Sequence, residues 1–559
     1  MLPTIIILVY LALIAGVGAI AFRKSKGSGE DYFLASRSLG SAVFLLSLFG
    51  TNMTAFAILG SSGMAYTRGI GVYGLMASSS ALIIPLSLFV IGTRLWWLGK
   101  RFGHMTQVDY FRDRWECSHI GTVIFVLTAA MLLPYIIIAL IGGGKVLETL
   151  SSYTVDVVQA DDTVVRQVGH YVSYEFGAAA VVLAVSIYIF LGGMRGAAWV
   201  NTFQTILFLV FGAVAFVLIG KSLGGYDAVM HKLMENERTA PLLTRERIPL
   251  TEYISYLLIP LSSIMFPHMA IMCLSARKVT SFKTTVSVYP ICIMLIWLPS
   301  VFLGVVAASQ FGVLGPAQTN DVILRLINQN TAPLIAAFLG AGIMSCVMSS
   351  DSHQILGLVT MFTRDIFGHY GGKERFGEKA QLWTGRIFVL IISLIAYVLA
   401  VFLKDKASIF ELAIRFAFSG FAALAPVMVA ALFWKRSTKW GALAATLWVG
   451  FTVIAAWWLQ EYSAVLASTL KPGEVAVIFP ALGGLFQRTM AGVLLYGYLP
   501  VVPMVFGSAL LMWVVSLLTK PPSQGTIDKY FPAPVPPTLS AAASAEPVSS
   551  AQPVGAATP

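Results

Sequence analysis

Charge is what this sequence has least of. Only 11% of its 559 residues are Asp, Glu, Lys or Arg, against 57% hydrophobic, where an ordinary soluble domain is about one quarter charged. That excludes a string of soluble domains. Cysteine is sparse as well. Cys117, Cys273, Cys292 and Cys346 share no metal-ligand spacing, and three of them lie in or beside apolar runs, so they read as small buried hydrophobes. The chain has no Gly-x-Ser-x-Gly elbow, no Walker loop and no His-Glu-x-x-His helix, which removes the familiar hydrolase and ATP-driven classes. A single basic face is also missing. The net charge of +11 is scattered in short clusters between apolar runs, as membrane orientation requires, and this excludes nucleic-acid binding.

What the sequence has in abundance is apolar runs of about twenty residues, each long enough to cross a hydrocarbon core of roughly 30 Å. About thirteen spans are expected, near 3–22, 40–65, 70–96, 119–142, 176–194, 200–222, 251–275, 284–308, 332–360, 384–403, 408–433, 440–460 and 491–518. The first run lacks a basic leader and a small-residue cleavage site, and Arg23, Lys24 and Lys26 follow it. It therefore reads as a retained helix with the N-terminus outside. Threading from there puts the basic loops 23–37, 100–114, 277–283, 364–386 and 435–439 on the cytoplasmic side of a cell membrane. Loop 223–250 dissents, since it carries Lys232, Arg238, Arg245 and Arg247 yet falls outside. Residues 521–559 are rich in Pro, Ala and Ser and read as a disordered cytoplasmic tail.

Two spans are interrupted by polar backbone, which is costly at bilayer depth unless it lines a cavity. In 45–65 the run Gly50-Thr51-Asn52-Met53-Thr54 intervenes; in 253–275, Pro260-Leu261-Ser262-Ser263 and then Pro267-His268 do so. A third span, 336–359, carries Ser349-Ser350-Asp351-Ser352 near its middle. The two broken spans occupy matching places in two five-helix units, spans 2–6 and 7–11, as an inverted duplication predicts. The resulting division is a first helix and loop (1–39), a first repeat (40–222), an external loop (223–250), a second repeat (251–433), C-terminal helices (434–520) and the tail. The fold class is an all-α polytopic membrane protein with a mid-membrane binding site.

Local motifs resemble the sodium/solute symporter family, whose members carry proline, pantothenate, sugars, sialic acid or monocarboxylates. The resemblance lies in Asp31-Tyr32-Phe33-Leu34-Ala35-Ser36-Arg37-Ser38-Leu39-Gly40, in Gly192-Gly193-Met194-Arg195 with Trp199-Val200-Asn201-Thr202-Phe203-Gln204, in Pro267-His268 with Ala276-Arg277-Lys278, and in Phe433-Trp434-Lys435-Arg436 with Thr438 and Gly441-Ala442. It covers roughly residues 5–520 and implies the leucine-transporter-like 5+5 inverted repeat. By the same resemblance, a sodium ion is expected on the carbonyls of Gly50, Met53 and Cys346 and the hydroxyls of Ser349 and Ser350. Oxygen ligands suit that hard cation, and Cys346, Ser349 and Ser350 share one helix face. The chain departs from the family's usual Asp at Asn201, which argues against a second sodium; Asn201, Asp351, Ser352 and His353 are the candidate second-ion or coupling residues.

Substrate is expected to meet Asn52, Thr54, Phe56, Ser79, Ser262, Phe418 and Ser419. Residues 50–66 hold no carboxylate and one amide, which favours a small amino acid or organic acid over a sugar. The expected activity is sodium-coupled symport by alternating access, with no cofactor beyond the coupling ion and no enzymatic chemistry. The alternatives are proton-coupled symport, for which Asp351 and His353 stand out, and a solute sensor that does not transport.

Overall fold

The structure is a computed structural model that describes residues 2–22, 28–158, 164–404, 409–470, 474–489 and 492–532. It is mostly helical. Among the described residues, eight helices are long and apolar enough to cross a membrane, or ten if each of two bent helix pairs is one span. Their outward faces carry unpaired apolar side chains, such as Leu183, Ile391, Leu394 and Ile454, where a soluble helix would place charge.

The longest helix, Tyr174–Ser222, has 49 residues, about twice what a bilayer needs. It is not continuous. Gly193 sits at φ 52°, ψ −145°, in a region essentially reserved for glycine, and a Cβ there would meet the Tyr32 carbonyl oxygen at 2.5 Å. The two spans expected on either side of residue 195 are thus two helices joined at a glycine kink.

Both interrupted spans are broken. Ser41–Asn52 and Phe56–Arg68 meet at 56°, and Leu250–Met265 and Pro267–Ser275 at 53°. The first break is narrower than the polar run implied: the helix continues through Asn52, and Met53 turns extended at φ −91°, ψ 112°. Gly50 is therefore helical and not a point of distortion. Its lack of a side chain admits Thr205 of the Tyr174–Ser222 helix, against whose hydroxyl a Cβ would collide. In the second pair Phe266 leaves the helical region at ψ 128° and Pro267 starts the next helix, where its missing N–H has no cost. Helix Pro333–Met361 runs unbroken past its serines and packs against the first break.

Two features depart from an all-α chain. Ser152–Val158 and Val164–His170 pair antiparallel, with Asp156 opposite Arg166, and Ala476–Val477, Phe486–Thr489 and Gly492–Leu495 form a second small sheet. Both lie between helices in segments too polar or too short to span. Part of the segment expected to be a disordered tail, 521–559, is instead helical. Gln524–Tyr530 is a helix capped by Ser523. It is held because Tyr530 buries its ring among Phe102, His104 and Tyr110, while Asp113 accepts hydrogen bonds from Lys529 and Tyr530. Residues 533–559 lie outside the described residues.

Candidate functional site

Ending a helix at Asn52 leaves its last carbonyls without helical partners, and the serine-bearing helix supplies groups to meet them. Ser349 Oγ lies 2.9 Å from the Gly50 carbonyl and 2.9 Å from the Cys346 carbonyl. Cys346 Sγ approaches the carbonyls of Met53 and Thr54 at 3.5 and 3.4 Å. Four of the five expected sodium-site residues are therefore brought together across the helix pair, all buried. Ser350 is buried beside them, but its hydroxyl donates to the Val347 carbonyl of its own helix at 3.1 Å. The donor set consists of carbonyl and hydroxyl oxygens. Among the described residues no cluster of three or more His, Cys, Asp or Glu could hold a transition metal.

One turn further along, Asn201 knots three elements. Its Nδ2 donates to Thr51 Oγ1 at 3.1 Å and to the Ser349 carbonyl at 2.7 Å, and lies 2.9 Å from His353 Nδ1. Ser352 Oγ closes the network onto Asn201 Oδ1 at 3.3 Å. Asn201, Ser352 and His353 thus form one buried group next to the serine cluster. Asp351 does not join it. Two residues along a helix is about 200° round its axis from His353, and neither carboxylate oxygen of the fully buried Asp351 has a hydrogen-bond partner.

On the other side of the same break lies a narrow cleft, lined by both broken helices and by helices Gly71–Ser87, Ser118–Leu150 and Thr280–Ala307. Of the expected substrate residues, Asn52, Phe56, Ser262 and Phe418 line it. Asn52 is pinned, donating to Tyr289 Oη at 2.6 Å and accepting from Ser263 Oγ at 3.1 Å. Thr54, Ser79 and Ser419 do not line it. Thr54 Oγ1 caps the new helix by accepting from Phe56 N at 3.0 Å, and Ser419 Oγ bonds the Ile414 carbonyl at 2.7 Å. Ser79 is one position off, some 100° round the helix, and Ser80 takes the place expected of it. Sequence reasoning missed Tyr135, Tyr256, Ser263, Phe266 and Trp297, all cleft-lining. Ser263 lies in the polar interruption already noted beside Ser262, whereas only the recurrence of aromatic residues at helical spacing could have flagged the other four, and that pattern is shared with ordinary packing.

A profile of the sodium:solute symporter family matches residues 32–450. The chain belongs to this family. Among the sodium:solute symporters similar to it are the sodium/proline symporter of Escherichia coli (strain K12), 26% identical over 512 residues, covering 85% of this chain and 92% of that protein. The sodium/pantothenate symporter of Haemophilus influenzae is 24% identical over 452 residues, covering 79% and 87%. A solved structure of a Na+-coupled sialic acid symporter superposes with a TM-score of 0.68 at 14% identity, covering 94% of this chain and 99% of that one, so the fold is shared. As a sodium:solute symporter the chain is a multi-pass membrane transporter and not an enzyme. Two of the motifs that carried the resemblance touch each other. Arg195 Nη2 donates to Asp31 Oδ1 at 2.6 Å, beside the Gly193 kink that Tyr32 packs against.

Proposed function

We propose that this protein imports a small organic solute together with sodium by alternating access, and that the first helix break is the element coupling the two. The observation that carries this is the double use of one break. Gly50 and Met53 meet Cys346 and Ser349 on one side, while Asn52, Met53 and Phe56 line the cleft on the other. An ion on the freed carbonyls fixes the break, and a fixed break shapes the cleft, so each ligand improves the binding of the other. The proposed sodium ligands are Gly50, Met53, Cys346, Ser349 and, after rotation of its hydroxyl, Ser350. Each positive charge moving inward gains about 2.3 kcal/mol per 100 mV.

Several observations support the 5+5 arrangement. Cutting Tyr174–Ser222 at Gly193 and taking each bent pair as one span gives five spans from Ser41 to Ser222 and five from Leu250 to Phe433. With Leu2–Phe22, Lys439–Tyr462 and Val501–Leu518 the total is the expected thirteen. An odd number per unit inverts the second copy. An outside N-terminus is supported by what the dissenting loop does. Arg238 donates to the Ala308 and Phe311 carbonyls and Arg247 to the Thr67 carbonyl, so these arginines cap helix ends instead of marking a cytoplasmic face. On this reading Arg68–Glu252 braces the outer side. The amide of Gln107, donating to the Met265 carbonyl at 3.2 Å, braces the inner one.

The relatives point to a carboxylate-bearing solute, an amino acid or organic acid in preference to a sugar. One observation favours proton coupling as a second reading, the unpartnered carboxylate of Asp351. Proteoliposome uptake of proline, pantothenate, pyruvate, galactose and sialic acid decides between them. Sodium-driven accumulation lost in Ser349→Ala supports the sodium reading. Accumulation driven by a proton gradient alone, and lost in Asp351→Asn, replaces it.

A further inference from the structure

Among the described residues, no charged side chain lines the cleft. Its polar residues are Asn52, Ser80, Ser262, Ser263, Tyr135, Tyr256 and Trp297. Some of these donors are already used. The Asn52 amide is held between Tyr289 and Ser263. Trp297 is different. It is 3% exposed, it lines the cleft, and its indole Nε1–H is buried without any acceptor. Indole is a donor only, and a buried donor normally finds a partner. The same cleft is walled by the rings of Phe56, Tyr135, Phe266 and Phe418, which pack against one another at centroid distances of 4.8–5.6 Å.

We infer that Trp297 is a specificity-determining residue whose Nε1–H receives the carboxylate of the transported solute. The apolar body of the solute lies against Phe56, Phe266 and Phe418. This rests on the symport reading of the same cleft and deepens it. A sugar offers as many donors as acceptors and would leave several unpaired against aromatic walls. A small carboxylate needs one strong donor and a counter-charge. The cleft supplies the donor, and the ion expected on the far side of Met53 supplies the charge, which makes sodium part of the binding site electrostatically. The shared chemistry is the carboxylate. A zwitterion such as proline would rest its ammonium on the aromatic faces, whereas a plain acid such as pyruvate or pantothenate would leave them dry.

The test is sodium-driven uptake into proteoliposomes of proline, pantothenate and pyruvate by wild type and by Trp297→Phe, which keeps an aromatic ring but removes the N–H together with the five-membered ring. The expected result is a KM at least tenfold higher for the transported acid, with the maximal rate within about twofold and the half-saturating sodium concentration, measured at saturating solute, unchanged. Lost packing alone would shift rate and sodium dependence together. Because the variant can misfold, wild type is also challenged with prolinamide, pantothenyl alcohol and pyruvamide, which replace the carboxylate; none should compete. Which of the acids is carried separates a zwitterion from a plain acid. Competition by the amide or alcohol at the acid's own affinity, or a Trp297→Phe KM equal to wild type with uptake still sodium-driven, overturns the inference and leaves the symport reading intact. Absence of sodium-driven uptake of every solute in wild type overturns the symport reading, and the inference with it.

Discussion

At the scale of single residues, the site is a matter of where lone pairs and protons fall. Ser349 is the hinge between two helices, since its hydroxyl reaches carbonyls on both. Ser349→Ala should raise the sodium concentration for half-maximal uptake at least tenfold, about 1.4 kcal/mol, and by more than Ser350→Ala, whose hydroxyl is engaged within its own helix. Sodium titration of uptake measures both. Asn201 makes the opposite point. Its Nδ2 sits where a donor is required, 2.7 Å from the Ser349 carbonyl. Asn201→Asp would set an oxygen against that oxygen, costing about 1–3 kcal/mol of stability, and a cation would relieve the clash. Thermal unfolding of the variant should therefore recover with added sodium chloride and not with choline chloride. Sequence made the polar residue types and their depth visible. It did not distinguish Ser79 from Ser80, because that depends on a helix rotation that neighbouring helices set.

At the scale of elements, breaks and kinks position everything else. The glycine kink at Gly193 lets one 49-residue helix fold as two spans and brings Arg195 to Asp31. Gly193→Ala combines a forbidden φ/ψ with a clash on Tyr32 and should cost at least about 2 kcal/mol. The yield of monodisperse protein after extraction should fall accordingly. The two broken helices are clamped to each other at the C-terminal end of one and the N-terminal end of the other by a bidentate pair, with Arg68 Nη1 and Nη2 at 2.5 and 2.6 Å from the Glu252 carboxylate, each side chain under 20% exposed. Charge-assisted pairs of this geometry contribute about 1.5–3 kcal/mol. Glu252→Gln should lower the unfolding temperature and increase labelling of cysteines placed in the cleft by a reagent added on the side that the Arg68–Glu252 pair guards. The breaks themselves were legible, because polar residues and prolines in an apolar run have few other uses at that depth. Their extent was not. The first helix continues to Asn52 since Thr205 packs tightly on Gly50, a contact between residues 155 positions apart.

At the scale of the whole molecule, the C-terminal segment belongs to the packed body up to about residue 531. Burial of the Asp113 carboxylate pushes its pKa up, but hydrogen bonds from Lys529 and Tyr530 and the charges of Lys529 and His104 outweigh this and hold it below the ordinary carboxylate value. The undocked state therefore binds more protons. Docking is at full strength above the ordinary value, about 4, and is lost as pH falls through the depressed one. Lys529 should resist trypsin at neutral pH in wild type and be cut readily in Asp113→Asn. Pepsin sensitivity of residues 518–531 should rise only below about pH 4.

The sequence by itself determined the membrane-spanning class, the two interruptions and the family, because these depend on length, hydropathy and local motifs. Tertiary structure alone decided which polar groups meet. Asn201 joins His353 while Asp351 stands apart, Ser80 and not Ser79 faces the cleft, Trp297 is left with an unused proton, and seven residues of an apparently featureless tail become a docked helix. Each of these outcomes depends on the rotation and approach of helices far apart in the chain, which no local pattern encodes.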